Sequence, residues 1–132
     1  MPIKKTFKGD SIQGERPVWE PLEQLVGWDL SGFFMWMFEV RLEDGTEVHA
    51  YKHRDTRSYI HAATDGRVFH YTQFDRYREV SRAKAIEAAF AGWWRVLHRI
   101  YDADLLFELL HQACEKAESG EQFSMDNLRV VP

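Results

Sequence analysis

The chain has 132 residues, 45% of them hydrophobic and 29% charged, with a formal net charge of −4; this excludes a disordered or low-complexity chain and is the size of one folded domain. The small, unpolarised charge excludes a basic footprint for nucleic acid, and the longest strongly apolar run, 33–38, is too short for a membrane span. Cys114 is the single cysteine, so no internal disulfide forms, and with no apolar leader behind the first lysines the chain reads as cytoplasmic.

Residues 1–17 mix lysine, glycine and polar side chains as far as Pro17 and read as a loose arm. Trp19, Leu22, Leu25 and Val26 recur near helical spacing, with Pro21 tolerated in a first turn, which predicts a short helix near 20–26. From Phe33 the pattern becomes that of strands. Two Asp-Gly pairs, in LEDGTE and ATDGRV, mark hairpins because glycine accepts a positive φ, and a short charged connection, HRDTR, lies between them. The implied strands, 33–43, 46–53, 57–64 and 67–73, form an antiparallel meander.

Ser81 offers an N-cap to a helix over 82–101, striped by Ile86, Ala89, Phe90, Trp93 and Leu97. Asp102 or Asp104 caps a second, 103–118, striped by Leu106, Leu109, Leu110, Ala113 and Ala117 and ending near Gly120; one unbroken helix is the alternative. His98 and His111 could meet across that helix pair, although each lies on a polar flank. The tail 121–132 is loose or adds an edge strand at 128–131. The expected fold is therefore a single α+β domain, 1–132, in which a four-stranded antiparallel meander is packed on one face by the C-terminal helices.

A half-buried sheet keeps one face apolar, and this constrains register. In the first hairpin a three-residue loop with Gly45 in a bulge sets Val40 opposite Val48, Phe38 opposite Ala50, Glu39 opposite His49 and Arg41 opposite Glu47. A similar loop at 54–56 sets Ala50 across from Ile60, His49 from His61 and Tyr51 from Tyr59. A two-residue Asp65-Gly66 turn then places His70 opposite His61. One face, Phe38, Val40, Val48, Ala50, Ile60, Ala62, Phe69 and Tyr71, is expected to meet the helix carrying Phe90, Trp93 and Leu97. The other carries a rung of Glu39, His49, His61 and His70, whose cross-strand Cβ atoms lie about 5 Å apart, close enough to converge on one ion.

Met35, Met37, Tyr51 and Tyr59 share that second face, so the leading functional expectation is a binding or interaction module that uses it, self-associating or meeting a protein partner, with no nucleic acid, membrane or cofactor required. The alternative is a small hydrolase or oxygen-chemistry enzyme. There His49, His61 and His70 act as zinc or iron ligands or as acid/base groups, Glu39 as ligand or orienting carboxylate, Tyr51 and Tyr59 as donors, and Arg57 orients an anionic substrate. Glycine-rich phosphate loops, Cys-x-x-Cys, His-Glu-x-x-His and Gly-x-Ser-x-Gly are all missing, which weighs against the enzyme.

Overall fold

The computed structural model describes residues 5–14, 16–100 and 102–121, with side chains at all of these except 98–100. The edge strand expected at 128–131 and the side chain of His98 lie outside the described residues. Strands β1 (Thr6–Ile12), β2 (Phe34–Leu42), β3 (Glu47–His53), β4 (Tyr59–Ala63), β5 (Val68–Tyr71) and β6 (Arg76–Val80) pair antiparallel in chain order. Because β1 pairs with both β2 and β6, the sheet closes into a barrel. Helices α1 (Glu20–Val26) and α2 (Trp28–Ser31) join β1 to β2, and α3 (Arg82–Phe90), α4 (Trp94–Ile100) and α5 (Ala103–Ser119) follow β6.

The expected four-stranded meander is thus corrected to a closed six-stranded barrel with five helices among the described residues. The two unforeseen strands are those that close it. β1, TFKGDSI, lies in the segment read as an arm, and β6, RYREV, is mostly charged; each turns one exposed face to solvent and contributes few apolar side chains inward, chiefly Phe7 and Tyr77. Closure leaves no sheet edge to protect, so these strands can be this polar.

The first hairpin has the expected register, with Phe38 opposite Ala50, Glu39 opposite His49, Val40 opposite Val48 and Arg41 opposite Glu47. Upstream the register slips between Trp36, which faces Tyr51, and Phe38, leaving Met37 as a bulge. Phe34 and Trp36 consequently point out of the barrel, while Phe38, Val40 and Leu42 point into it.

The second connection differs from expectation by one residue. His53 N–H donates to the Ser58 carbonyl at 2.8 Å and Arg57 N–H to the His53 carbonyl at 2.9 Å, so the loop is the four residues 54–57, with Arg57 at φ 67°. Ala50 then faces His61 and Tyr51 faces Ile60. The third hairpin also departs: Ala63 N–H donates to the Arg67 carbonyl at 2.8 Å and Gly66 sits at φ 94°, so it uses the same three-residue form as the first. His61 is paired with Phe69, and His70 with Arg78 on β6. Since strand side chains alternate, a one-residue slip moves a whole set to the other face, and Val48 and Ile60 end on opposite faces.

Each face of the barrel wall has its own core. Inside, Val40, Leu42, Val48, Ala63, Phe69 and Tyr77 pack with Phe7 and Phe38. Outside, Phe34, Tyr51, Ile60, Ala62 and Val68 pack against Leu22, Leu25, Leu30, Ile86, Phe90, Trp93 and Leu97, with Leu106, Ala113 and Ala117 of α5 completing the layer. The C-terminal helices therefore cover the sheet on the face opposite the one expected for Val48 and Phe69. The helix expected over 82–101 is broken at 91–93, where Gly92 takes φ 82° and the Trp93 indole N–H donates to Asp55 at 2.8 Å. Arg67 donates to Asp65 at 3.0 Å and to Thr46 at 2.8 Å and lies 5.3 Å from the Phe69 ring centre. Among the described residues no helix is long and apolar enough to cross a membrane.

Gly9 lies directly against the inner core. A Cβ there would stand 2.7 Å from Val40 and 2.9 Å from both Leu42 and Tyr77. Gly9→Ala should therefore lower stability by about 1–3 kcal/mol through overpacking, read as a reduced urea midpoint at unchanged slope. An unchanged midpoint would show that the inner core is looser than this spacing.

Candidate functional site

The residues singled out in the sequence divide into two groups, one on the outer face of the wall and one at the parting of β4 and β5, where His61 points inward and His70, next along the strand from Phe69, points outward. Glu39 and His49 stay together on the outer face, in a network that also holds Trp36, Arg41 and Glu47. The Trp36 indole N–H donates to His49 Nδ1 at 3.0 Å, and His49 Nε2 lies 2.7 Å from Glu47. Arg41 donates to Glu39 at 2.8 Å and stands 3.6 Å from Glu47. Tyr51 is fully buried on the same face, donating its hydroxyl to the Val18 carbonyl at 2.6 Å and packing on Trp19; burial raises its pKa. The surface expected to meet a partner through Tyr51 is thus covered by the chain's own segment leading into α1. Met37 remains exposed, and Arg57 is exposed in its loop.

Glu39, Glu47 and His49 present ligand atoms within 4.8 Å of one another. The hydrogen bonds nonetheless fix a tautomer that opposes ligation. With the indole N–H aimed at Nδ1, the imidazole proton resides on Nε2 and is donated to Glu47; a metal at Nε2 would move that proton to Nδ1, where two donors would confront each other. Arg41 already occupies the space between the carboxylates. Zinc added in excess should therefore leave the melting temperature unchanged, and a zinc-dependent rise would overturn this tautomer.

The second group, Tyr59, His61 and His70, converges at a break in the wall. Pairing between β4 and β5 covers only His61 with Phe69 and Ala62 with Val68, while β4 runs on to Tyr59 along β3 and β5 to Tyr71 along β6. Where the strands part there is a cleft of about 440 Å³, lined by Phe38, Ser58, Tyr59, His61, His70, Tyr71 and Ala88. Phe38 forms its inner wall and Ala88 of α3 its outer lip. The expected His49–His61–His70 rung does not form, because His49 is opposite Ala62. His61 and His70 still become neighbours, diagonally across the parting. Ser58, Tyr71 and Ala88 were not foreseen, since a cleft made by the end of strand pairing has no local sequence signature.

The cleft is uncharged at its base. The His61 ring is stacked on Tyr59, with centroids 5.8 Å apart, and meets the edge of Tyr77 at 5.3 Å. Burial lowers its pKa from 6.5 to about 4, with a smaller push from His70. His70 is also lowered, by burial and then by Arg78. Tyr77 is pushed up to about 12, chiefly by burial. Both imidazoles are neutral at pH 7, each offering one donor and one acceptor.

His53, outside the cleft, is likewise pushed by burial to about 4, with Asp55 partly opposing. Its Nδ1 accepts the backbone N–H groups of Asp55 at 3.0 Å and Thr56 at 3.2 Å, and Phe34, Phe90 and Trp93 surround the ring. In the unfolded chain both rings take up protons near pH 6.5, whereas the folded rings stay neutral to about pH 4. Stability is therefore present in full above pH 6.5 and lost as pH falls toward 4, by on the order of 3 kcal/mol for each ring. Urea midpoints measured across this range should fall steeply, with NMR showing His53 and His61 unprotonated at pH 5.5; titration of both rings near 6.5 would contradict their burial.

No protein-family model matches the chain, and no curated protein or solved structure matches it.

Proposed function

We propose that the protein is a small-ligand-binding protein whose site is the cleft between β4 and β5. The observation that carries this reading is an opening of about 440 Å³ walled by Phe38, Tyr59 and Tyr71, with His61 and His70 as its convergent polar groups. That volume and lining, mostly apolar with a few fixed hydrogen-bonding groups, are those of small-molecule sites. Flat rings stack on Tyr59 and Tyr71, and a carbonyl or hydroxyl edge meets the neutral imidazoles. The reading keeps the binding class expected from the sequence and moves it from the outer sheet face to the barrel wall. A cytoplasmic setting accords with the lone Cys114.

An acid/base enzyme at the same place has less behind it. A catalytic imidazole is ordinarily oriented by a partner, and His61 is flanked by aromatic rings, its pKa moved by burial and His70 with no carboxylate contributing.

N-Phenylnaphthylamine, a neutral three-ring dye that fluoresces in apolar surroundings, tests the cleft. Saturable one-to-one binding is expected, weakened by at least about tenfold, or 1.4 kcal/mol, in Ala88→Trp, which fills the outer lip from an exposed helix position and leaves the melting temperature unchanged. Binding indifferent to this substitution, or no saturable binding, would remove the cleft as the site.

A further inference from the structure

We infer that the ligand of this cleft is an anion, an aromatic compound carrying a carboxylate; the inference rests on the cleft being the binding site. Its basis is the charge around the opening. Arg78 lies opposite His70 across β5 and β6, close enough for its charge to depress the His70 pKa. Its Nε is buried and has no hydrogen-bond partner among the described residues. A buried guanidinium N–H without an acceptor is costly, and native structures rarely leave one so unless a water, an ion or a ligand completes it.

On the other side of the parting, Lys52 lies opposite Tyr59 and places Nζ 5.9 Å from that ring's centre. Arg57 precedes Ser58 of the lining. Among the described residues neither Lys52, Arg57 nor Arg78 forms an ion pair with a carboxylate, and no acidic side chain lines the cleft. Of the acids on the flanking turns, Asp55 is held by the Trp93 indole and Asp75 is exposed at the tip of the next hairpin.

Cations flank an apolar opening whose two histidines carry no charge, so the local field is positive and poorly screened. An anion entering it gains more than it would at an open surface. A carboxylate supplies the missing acceptor to Arg78, and its ring lies against Tyr59 and Tyr71. A cationic ligand would face Arg78 and Lys52 with no counter-charge in the lining.

Anilinonaphthalene sulfonate, which has the skeleton of the neutral dye plus one negative charge, separates this inference from the cleft reading. The full chain should bind it about tenfold or more tightly than the neutral dye, and added salt should erode that advantage. Arg78→Gln and Lys52→Gln should each remove much of the advantage while leaving the neutral dye within about twofold; Arg78→Lys should retain part of it. Lys52→Gln keeps the test decisive if Arg78→Gln unfolds the barrel. Equal affinities for the two dyes, or an advantage untouched by both substitutions, would overturn the anion inference and leave the cleft reading standing. Failure of the neutral dye to bind saturably would overturn both.

Discussion

A single imidazole acceptor determines how the strands of this barrel meet. His53 Nδ1 takes the backbone N–H groups of Asp55 and Thr56, which would otherwise be orphaned in a turn partly buried beneath α3. The same loop is tied outward by the Thr56 hydroxyl, which donates to the Ala89 carbonyl at 2.6 Å, and by Asp55, which accepts from Trp93. Held this way, the loop spends four residues, not three, and accepts a left-handed Arg57. The register of β4 follows, and with it the inward aim of Tyr59 and His61. A shorter loop would point both toward the helices and away from the barrel opening.

Two cores separated by one sheet thickness explain why so small a chain carries so many aromatic side chains. Phe7, Phe38, Phe69 and Tyr77 fill the lumen, while Phe34, Phe90, Trp93 and Tyr51 fill the layer between wall and helices. β3 shows the consequence most clearly, because Val48 and Ala50 serve the inner core while His49, Tyr51 and His53 serve the outer one. Polar side chains enter the outer layer with fixed partners: His49 has Trp36 and Glu47, Tyr51 has the Val18 carbonyl, and His53 has the Asp55 and Thr56 N–H groups at Nδ1, although its buried Nε2 has no partner among the described residues.

The legibility of the sequence varied with the physics of each element. The first hairpin was readable because only one face of Phe38–Val40 against Val48–Ala50 is strongly apolar and Gly45 marks the turn; α1 was readable from its apolar spacing and Pro21, and α5 from its cap and stripe. The run 33–38 was not, because it is apolar on every side and period two cannot reveal a bulge at Met37. Loop 54–57 was not, because its length is decided by a side-chain acceptor and a positive φ at arginine, which no composition announces. β1 and β6 were missed since closure, a property of the whole sheet, is what makes such polar strands worth pairing. Of the candidate residues, Tyr59, His61 and His70 line one cleft, though through a parting of strands and not through the rung that first joined His61 and His70 to His49.

That parting also sets the mechanics of the barrel. The seam between β4 and β5 is held by two residue pairs, whereas the other seams are longer, so it is where the cylinder breathes most readily and where its staves would separate first. Whatever lodges there bridges the two staves as a rivet would, coupling occupancy to the lifetime of the closed form.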